Sequence, residues 1–234
     1  MSIKKKSVLV IIPARAKSRR LPNKNLKPFC GKPLIAWSIE AAKGCRFVDA
    51  IAVSTESRKI ANVAKAWGGD VPFLRPGRLA TDKASTLDVL FHVMSFFEQR
   101  SRKFDILVLL QPTSPLRSSR HLSEALALFI NKRANAVVSV EKSPHPPQWT
   151  KPLTGDLGMR NFCEIKRPLS QNAYWRLNGA IYIARWDFLR KQKGWYSKRT
   201  YAYVMDRTDS VDVDTIEDFW IAELFMKKKM RNRH

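Results

Sequence analysis

"VLVIIPARAKSRRLPNKNLKPFCGKPL", residues 8–34, decides how the rest of the chain is read. Val8 to Ile12 are an unbroken run of branched or long apolar residues that stops at Pro13, the pattern of a strand buried on both faces of a sheet. Arg15, Lys17, Arg19, Arg20, Lys24, Lys27 and Lys32 follow with no acidic residue among them. In α/β sheets ligands settle beyond the carboxyl ends of parallel strands, so the loop after this strand is the first place to look for a site. Its cationic side chains and backbone amides suit a polyphosphate. It is neither a Walker loop, lacking GxxxxGK[ST], nor a GxGxxG turn.

Beyond this strand, short apolar runs alternate with helix-like segments, the rhythm of βα units feeding a mostly parallel sheet. Strands are predicted at Val8–Ile12, Ala50–Ser54, Val71–Leu74, Ile106–Leu110 and Ala136–Val140, and helices at Pro33–Lys43, Ser57–Trp67, Ser85–Arg100 and Ser119–Asn131. Pro33 is placed for the first helical position, and Ser85 or Thr86 and Ser119 for N-caps. "AWGGD" (66–70) ends a helix where glycine can take the left-handed conformation. The rhythm breaks after Val140. Residues 141–175 carry five of the 13 prolines and little helical period, too long for a simple connection, and read as a functional or oligomerising excursion. "GAIYIA" (179–184) resumes the core and "YAYVMD" (201–206) offers another strand. "TIEDFWIAELFMKKK" (215–229) reads as a closing amphipathic helix, with Thr215 and Asp218 at capping-box spacing.

At 234 residues and 44% hydrophobic, the chain can bury one sizeable α/β domain. No apolar stretch approaches the roughly 20 residues that cross a bilayer, and the run after "MSIKKKS" is too short for a secretory signal. Three scattered cysteines (Cys30, Cys45 and Cys163) without CxxC spacing fit a reducing cytoplasm, with neither disulfides nor structural zinc. The net charge is +23, and Lys4–Lys6 with the "KKKMRNRH" tail supply eight of those charges, leaving +15 for the body. Such a body attracts polyanions, whether nucleic acid, phosphorylated metabolites or an acidic membrane surface, and a merely solvated basic face is the plain alternative.

Three more constellations carry polar chemistry. In "DSVDVDTIEDF" (209–219), Asp212 and Asp214 alternate with Val211 and Val213, so a strand would point both carboxylates to one face, where such pairs hold Mg²⁺. The competing reading makes Asp214 the cap of the following helix, with Asp209, Glu217 and Asp218 as solvated or helix-end charges. "LLQPTSPLR" (109–117) places Gln111, Thr113, Ser114 and Arg117 beyond an apolar strand, and "WRLNGAIYI" (175–183) places Arg176 and Asn178 ahead of another. Both suit a polyhydroxylated carboxylic acid; both are also ordinary turn formers. His92, His121, His145 and His234 show no ligand or catalytic spacing.

In order, "IIPARAKSRRLPNKNLKPFCGKPLIAWSIEAA", "VSTES", "LRPGRLATDKAST", "LLQPTSPLRSSRHLSEAL", "AVVSV", "RLNGAIYI" and "DSVDVDTIED" resemble the acylneuraminate cytidylyltransferases, which make CMP-activated nonulosonic (sialic-type) acids. The resemblance implies a Rossmann-like three-layer nucleotidyltransferase, α/β with a mixed, mostly parallel sheet, as one domain over 1–234 with a dimerisation insertion at 141–178. It implies a cytoplasmic, Mg²⁺-dependent homodimer that transfers CMP from CTP to the anomeric hydroxyl of a 2-keto sugar acid, releasing pyrophosphate. By the same resemblance Arg15, Ser18, Lys24 and Asn25 hold the CTP phosphates, and Arg75 and Thr86 lie along the cytidine. Gln111, Arg176, Asn178 and Tyr182 contact the sugar acid, with Trp195 and Tyr196 near its ring and acyl groups. Asp212 and Asp214 match the magnesium carboxylates and, with Lys24 and Arg15, the catalytic set.

The chain departs from the family pattern at Ala16-Lys17 and Arg19-Arg20, where small residues or glycine are usual, and at Gln148, where some sialate enzymes carry lysine. "RxSxRLPxK" is closer to the sister family that activates Kdo, whereas Asn25, "LQPTSPLR" and "RLNGAIY" favour the sialic-type branch. Besides a CMP-Kdo synthetase, the alternatives are a catalytically dead relative and a basic nucleic-acid-binding module. The last is disfavoured because the cations are not interleaved with aromatics in an RNP-like pattern, and Asp212 and Asp214 would repel a nucleic-acid backbone.

Overall fold

The computed structural model describes residues 6–162 and 173–232. In chain order the strands are β1 (Val8–Pro13), β2 (Pro28–Phe29), β3 (Lys32–Pro33), β4 (Ala50–Ser54), β5 (Ile106–Leu110), β6 (Ala136–Lys142), β7 (Trp175–Arg185) and β8 (Thr200–Val204). The helices are α1 (Leu34–Lys43), α2 (Arg58–Ala66), α3 (Thr86–Glu98), α4 (Ser119–Asn131), α5 (Trp186–Gln192) and α6 (Ile216–Arg231). Six strands form one mixed sheet in the order β4-β1-β5-β7-β6-β8, while β2 and β3 make a small antiparallel pair. β1 pairs in parallel with β4 and β5, and β6 with β8; β7 is antiparallel to both β5 and β6.

The apolar run of β1 is explained by this position. Val8, Val10 and Ile12 pack on one face against α1, α2 and α4, through Ile35, Ile39, Ile60 and Leu122. Leu9 and Ile11 pack on the other against α3 and α5, through Leu90, Val93, Met94 and Trp186. Burial of each such side chain contributes about 1.5–3 kcal/mol, so a strand covered on both faces has no place for a polar residue. α6 closes a third cluster, in which Phe219, Ala222 and Met226 meet Leu21, Phe29, Leu34 and Val213. From β1 the chain goes out to β4 on one side and returns as β5 on the other. The carboxyl ends of β1 and β5 therefore flank the switch point where α/β sheets open a crevice.

Local chemistry sets the helix starts. Capping boxes join Ser85 to Asp88, Ser118 to His121 and Thr215 to Asp218, and Ser57 caps α2 through Ile60 N–H. Gly68, just past α2, has φ +89° as expected of a left-handed helix end. Four expectations are corrected. Val71–Leu74 is not a strand: only isolated bridges form, Ala52–Asp70 on β4 and Thr55–Leu74 just past its end, because Pro72 between them has no N–H to continue a ladder. Pro33 is the N-cap of α1 rather than its first residue, held extended by pairing with Pro28. Ser118, not Ser119, caps α4, since its hydroxyl is the one that accepts from His121 N–H. Residues 210–214 carry no strand, although Val213 is still buried between the more exposed Asp212 and Asp214.

The excursion predicted at 141–178 leaves the sheet on the ends of β6 and β7, where Glu141 pairs with Arg176 and Lys142 with Trp175. Residues 143–162 hold only short 3₁₀ turns, and 163–172, with Cys163, lie outside the described residues, as do Lys4, Lys5 and the last two residues of the tail. Among the described residues, no helix is long and apolar enough to cross a membrane.

Candidate active site

The loop after β1 is fastened at several points. Ala14 N–H donates to Ser54 C=O (2.9 Å), and Ala16 N–H to the Glu56 carboxylate (2.7 Å). Asn25, buried, donates its side-chain amide to Arg15 C=O (2.9 Å) and so fixes the loop's width. Glu56 also accepts from the buried Arg75 guanidinium (2.8 Å). Burial opposes ionisation of Glu56, but Arg75 and the Ala16 N–H outweigh it and hold its carboxyl below the ordinary range.

This loop, the ends of β1 and β5, and the start of α3 enclose a cleft of about 450 Å³. Arg15, Ser18, Lys24, Asn25, Arg75 and Thr86, the six residues predicted for the nucleotide, all line it. Its cations are tethered across it by carboxylates. Arg15 (2.7 Å) and Arg19 (2.6 Å) both pair with Asp82, whose carboxyl they hold below its usual value, the Arg15 hydrogen bond most of all. Arg20 (2.5 Å) and Lys24 (2.9 Å) take the two oxygens of Asp214. Lys24 is buried and donates a second bond to Val213 C=O (2.7 Å), which joins the loop to the segment before α6.

A second cleft, of about 820 Å³, adjoins the first at Gln111, which lines both. Arg176, Asn178, Tyr182 and Asp212 line it as well. Val213 N–H bonds to Thr113 C=O (2.7 Å) and buries its side chain, so Asp212 and Asp214 on either side of it point out of the core. Asp214 faces the first cleft and Asp212 the second. The helix cap is Thr215, and the Asp218 carboxylate accepts from Asp214 N–H and Thr215 N–H, so Asp214 is not the cap and keeps its carboxylate for the site. Burial tends to raise the Asp214 pKa, but Lys24, then Arg20, hold it below the ordinary value. Asp212 moves the other way. Burial raises its carboxyl and the charge of Asp214 adds to the rise, against the Thr113 hydroxyl and the charge of Lys24.

The floor beneath these groups is a buried polar network. Arg117 donates to Gln111 C=O (3.1 Å), Ala180 C=O (3.3 Å) and Ser38 Oγ (2.6 Å), and its burial pushes its pKa down to about 9. Asn178 accepts from Ser139 Oγ (2.6 Å) and donates to Ser210 Oγ (2.9 Å), with Gly179 beside it at φ +75°. The amide of Asn178 thus ties β6 and β7 to the segment that carries Asp212. Trp195 and Tyr196 are not on the lining of either cleft: Trp195 is buried with its ring 5.1 Å from Tyr182, and Tyr196 is exposed. Three residues here were not singled out in the sequence. Glu56 and Asp82 anchor arginines, and Glu141, buried on the second cleft, accepts from Arg176 (2.8 Å). The motifs "VSTES" and "LRPGRLATDKAST" contain Glu56 and Asp82 and were the signals within reach for them; Glu141 meets Arg176 only through the strand pairing of β6 with β7.

Two carboxylates on adjoining clefts, beside cations that can meet phosphate, are a donor chemistry that fits Mg²⁺, which takes one or two carboxylates and leaves its remaining positions to water and substrate oxygens. Asp212 supplies a carboxylate that no ion pair joins to any described residue. Among the described residues no group of three or more His, Cys, Asp and Glu is arranged to hold a metal without such help.

A family model described as cytidylyltransferase matches residues 9–217. The chain is 35% identical to the N-acylneuraminate cytidylyltransferase of Escherichia coli over 97% of its own length and 54% of that protein's. It is also 35% identical to the CMP-N,N'-diacetyllegionaminic acid synthase of Legionella pneumophila, over 94% of this chain and 96% of that one. It thus spans about half the length of the N-acylneuraminate cytidylyltransferase it matches and nearly all of the legionaminic acid enzyme. In fold it is similar to a CMP:2-keto-3-deoxy-manno-octonic acid synthetase complexed with CTP, at TM-score 0.72 and 19% identity, covering 95% of this chain and 99% of that one.

Proposed function

Because this chain belongs to the cytidylyltransferase family, we propose that it transfers CMP from CTP to the anomeric hydroxyl of a nonulosonic acid, releasing pyrophosphate. The observation that carries this reading is the pair of clefts that meet at Gln111, with Asp214 facing one and Asp212 the other. One cleft is lined by the cations a triphosphate needs. The other is lined by Arg176, Tyr182 and Gln111, which suit a carboxylate and hydroxyls.

In this reading CTP lies in the first cleft, its phosphates along Arg15, Ser18 and Lys24 and its cytidine along Arg75 and Thr86. Asn25 keeps the loop at its width through Arg15 C=O. Arg176 meets the sugar's carboxylate, held by Glu141 at the ladder's edge, while Asn178 acts from the wall by positioning. The anomeric oxygen forms a bond to the α-phosphorus as the bond to the β-phosphate oxygen breaks, and the hydroxyl proton passes to water. Both reactants are anions, so the loop cations lower their repulsion, and holding them in line removes a further large share of the barrier, about 7–11 kcal/mol for ideal positioning. Mg²⁺ held by Asp212 and Asp214 would add neutralisation of the phosphates and of the departing pyrophosphate.

The relatives named for legionaminic and N-acylneuraminic acids favour a sialic-type acid over Kdo, because the likeness to the Kdo enzyme, at 19% identity, concerns the fold. The free thiols Cys30 and Cys45 suit a reducing cytoplasm. Exposed Trp149, Trp175 and Leu177 around the excursion suit burial against a second copy in a homodimer. The test is pyrophosphate release from CTP and Mg²⁺ with a panel of 2-keto sugar acids. Release with a nine-carbon acid, lost in Asp214→Ala, is expected. Release with Kdo alone would reassign the sugar, and release with none would refute the reading.

A further inference from the structure

Among the loop cations that the proposed reaction leaves without a task, Arg20 is the one paired with Asp214. We propose that it is an exchangeable counter-ion: it masks Asp214 in the nucleotide-free protein and moves to phosphate when the cleft fills, so that polyphosphate and divalent cation bind with positive coupling. This rests on the reading above, in which the first cleft takes CTP and the aspartate pair takes the metal.

The two partners of Asp214 are unequal. Lys24 reaches Oδ1 from a buried position and is fastened again at Val213 C=O, so leaving would strand both acceptors. Arg20 reaches Oδ2 at 2.5 Å with its side chain 65% exposed. Its backbone is anchored next door by Leu21, buried in the α6 cluster, so the guanidinium can swing while its origin stays put. Arg19, its neighbour, turns to the other wall and Asp82. With both oxygens of Asp214 taken, a divalent cation meets an open Asp212 but a masked Asp214, and must displace a positive charge to use it. A polyphosphate lining the same loop offers Arg20 more negative charge than one carboxylate does. When Arg20 moves over, Oδ2 is uncovered for the metal; by linkage, metal on Asp214 equally frees Arg20 for phosphate.

The test separates masking from general charge. Mn²⁺ is titrated into nucleotide-free protein and the unbound ion is read by electron paramagnetic resonance, in the wild type and in Arg20→Ala, Arg19→Ala, Asp214→Asn and the Arg20→Ala/Asp214→Asn double variant. Arg20→Ala is expected to bind Mn²⁺ roughly three- to tenfold more tightly than wild type, as for loss of a contacting, partly exposed cation. Arg19→Ala makes the same charge change against Asp82 and is expected to stay within about twofold. The gain is expected to vanish in the double variant. In a second arm, CTP binding followed calorimetrically in EDTA weakens by a similar factor in Arg20→Ala. An unchanged Mn²⁺ affinity in Arg20→Ala, an equal gain in Arg19→Ala, a gain that survives Asp214→Asn, or an unchanged CTP affinity overturns the proposal. Mn²⁺ binding that Asp214→Asn leaves untouched in every background overturns the metal assignment as well.

Discussion

Replacing Lys24 by methionine tests whether the loop and the aspartate segment are held as one unit. The wild-type ammonium makes a 2.7 Å bond to Val213 C=O and a 2.9 Å bond to Asp214 Oδ1, from a side chain only 10% exposed. The carbonyl bond is charge-assisted and buried, and its loss costs about 1.5–3 kcal/mol. The Asp214 bond is screened, because that carboxylate is about a third exposed, and contributes about 0.5–1 kcal/mol. Methionine keeps the apolar stem and recovers a little, so the net loss is about 2–3 kcal/mol. At this chain length that lowers the melting temperature by about 5–10 °C. The pH dependence follows from Asp214, whose pKa burial would raise but Lys24 and then Arg20 hold below the ordinary carboxylate value. A carboxylate depressed in the fold stabilises above its unfolded pKa and loses that contribution as the pH falls through the folded value. The deficit of Lys24→Met is therefore full at pH 7 and narrows below about pH 4 without closing, since the Val213 bond does not titrate. Urea unfolding at pH 7 and pH 3.5 measures both. A deficit under about 1 kcal/mol at pH 7, or one that widens on acidification, would refute the reasoning.

Arg117→Ala removes two buried hydrogen bonds and a partly buried one that supports Gln111 C=O; a loss of about 3 kcal/mol or more is expected in urea unfolding, with a raised KM for both substrates. His121 is buried, accepts from Ser118 N–H at Nδ1, and is held neutral by burial and then by Arg120, Lys229 and Arg117 against the pull of Glu124 and the nearby Asp209, so its pKa falls to about 4. Its stabilisation is present above its unfolded value near 6.5 and is lost as the pH falls toward 4, so wild type should lose about 2 kcal/mol more than His121→Gln between pH 7 and 4.5, read from denaturant midpoints at each pH. Asp82→Asn frees Arg15 and Arg19 in the cleft, and calorimetry should find CTP bound about two- to fivefold more tightly.

What could be read from the chain, and what could not, divides by sequence distance. β1 was legible because burial on both faces leaves a mark in five consecutive residues. The alternation of Asp212 and Asp214 with valines was legible for the same reason, and it survives without a strand because Val213 N–H and its side chain are both taken by the core. Val71–Leu74 has the composition of a strand, but one missing N–H at Pro72 outweighs it. The loop shows the opposite limit. Seven cations in a stretch without acids look like open positive charge. In the folded chain five of the seven are in ion pairs: Arg15 and Arg19 with Asp82, Arg20 and Lys24 with Asp214, and Lys32 with Glu40. Two of these three carboxylates arrive from more than 60 residues away, so no local pattern announces their pairing with the loop. An anion entering this cleft therefore exchanges partners with carboxylates already in place. Its affinity depends less on how many cations the loop carries than on how firmly Asp82 and Asp214 keep them, and exchange lets a loop this basic favour a ligand with the charge of a triphosphate over any passing anion.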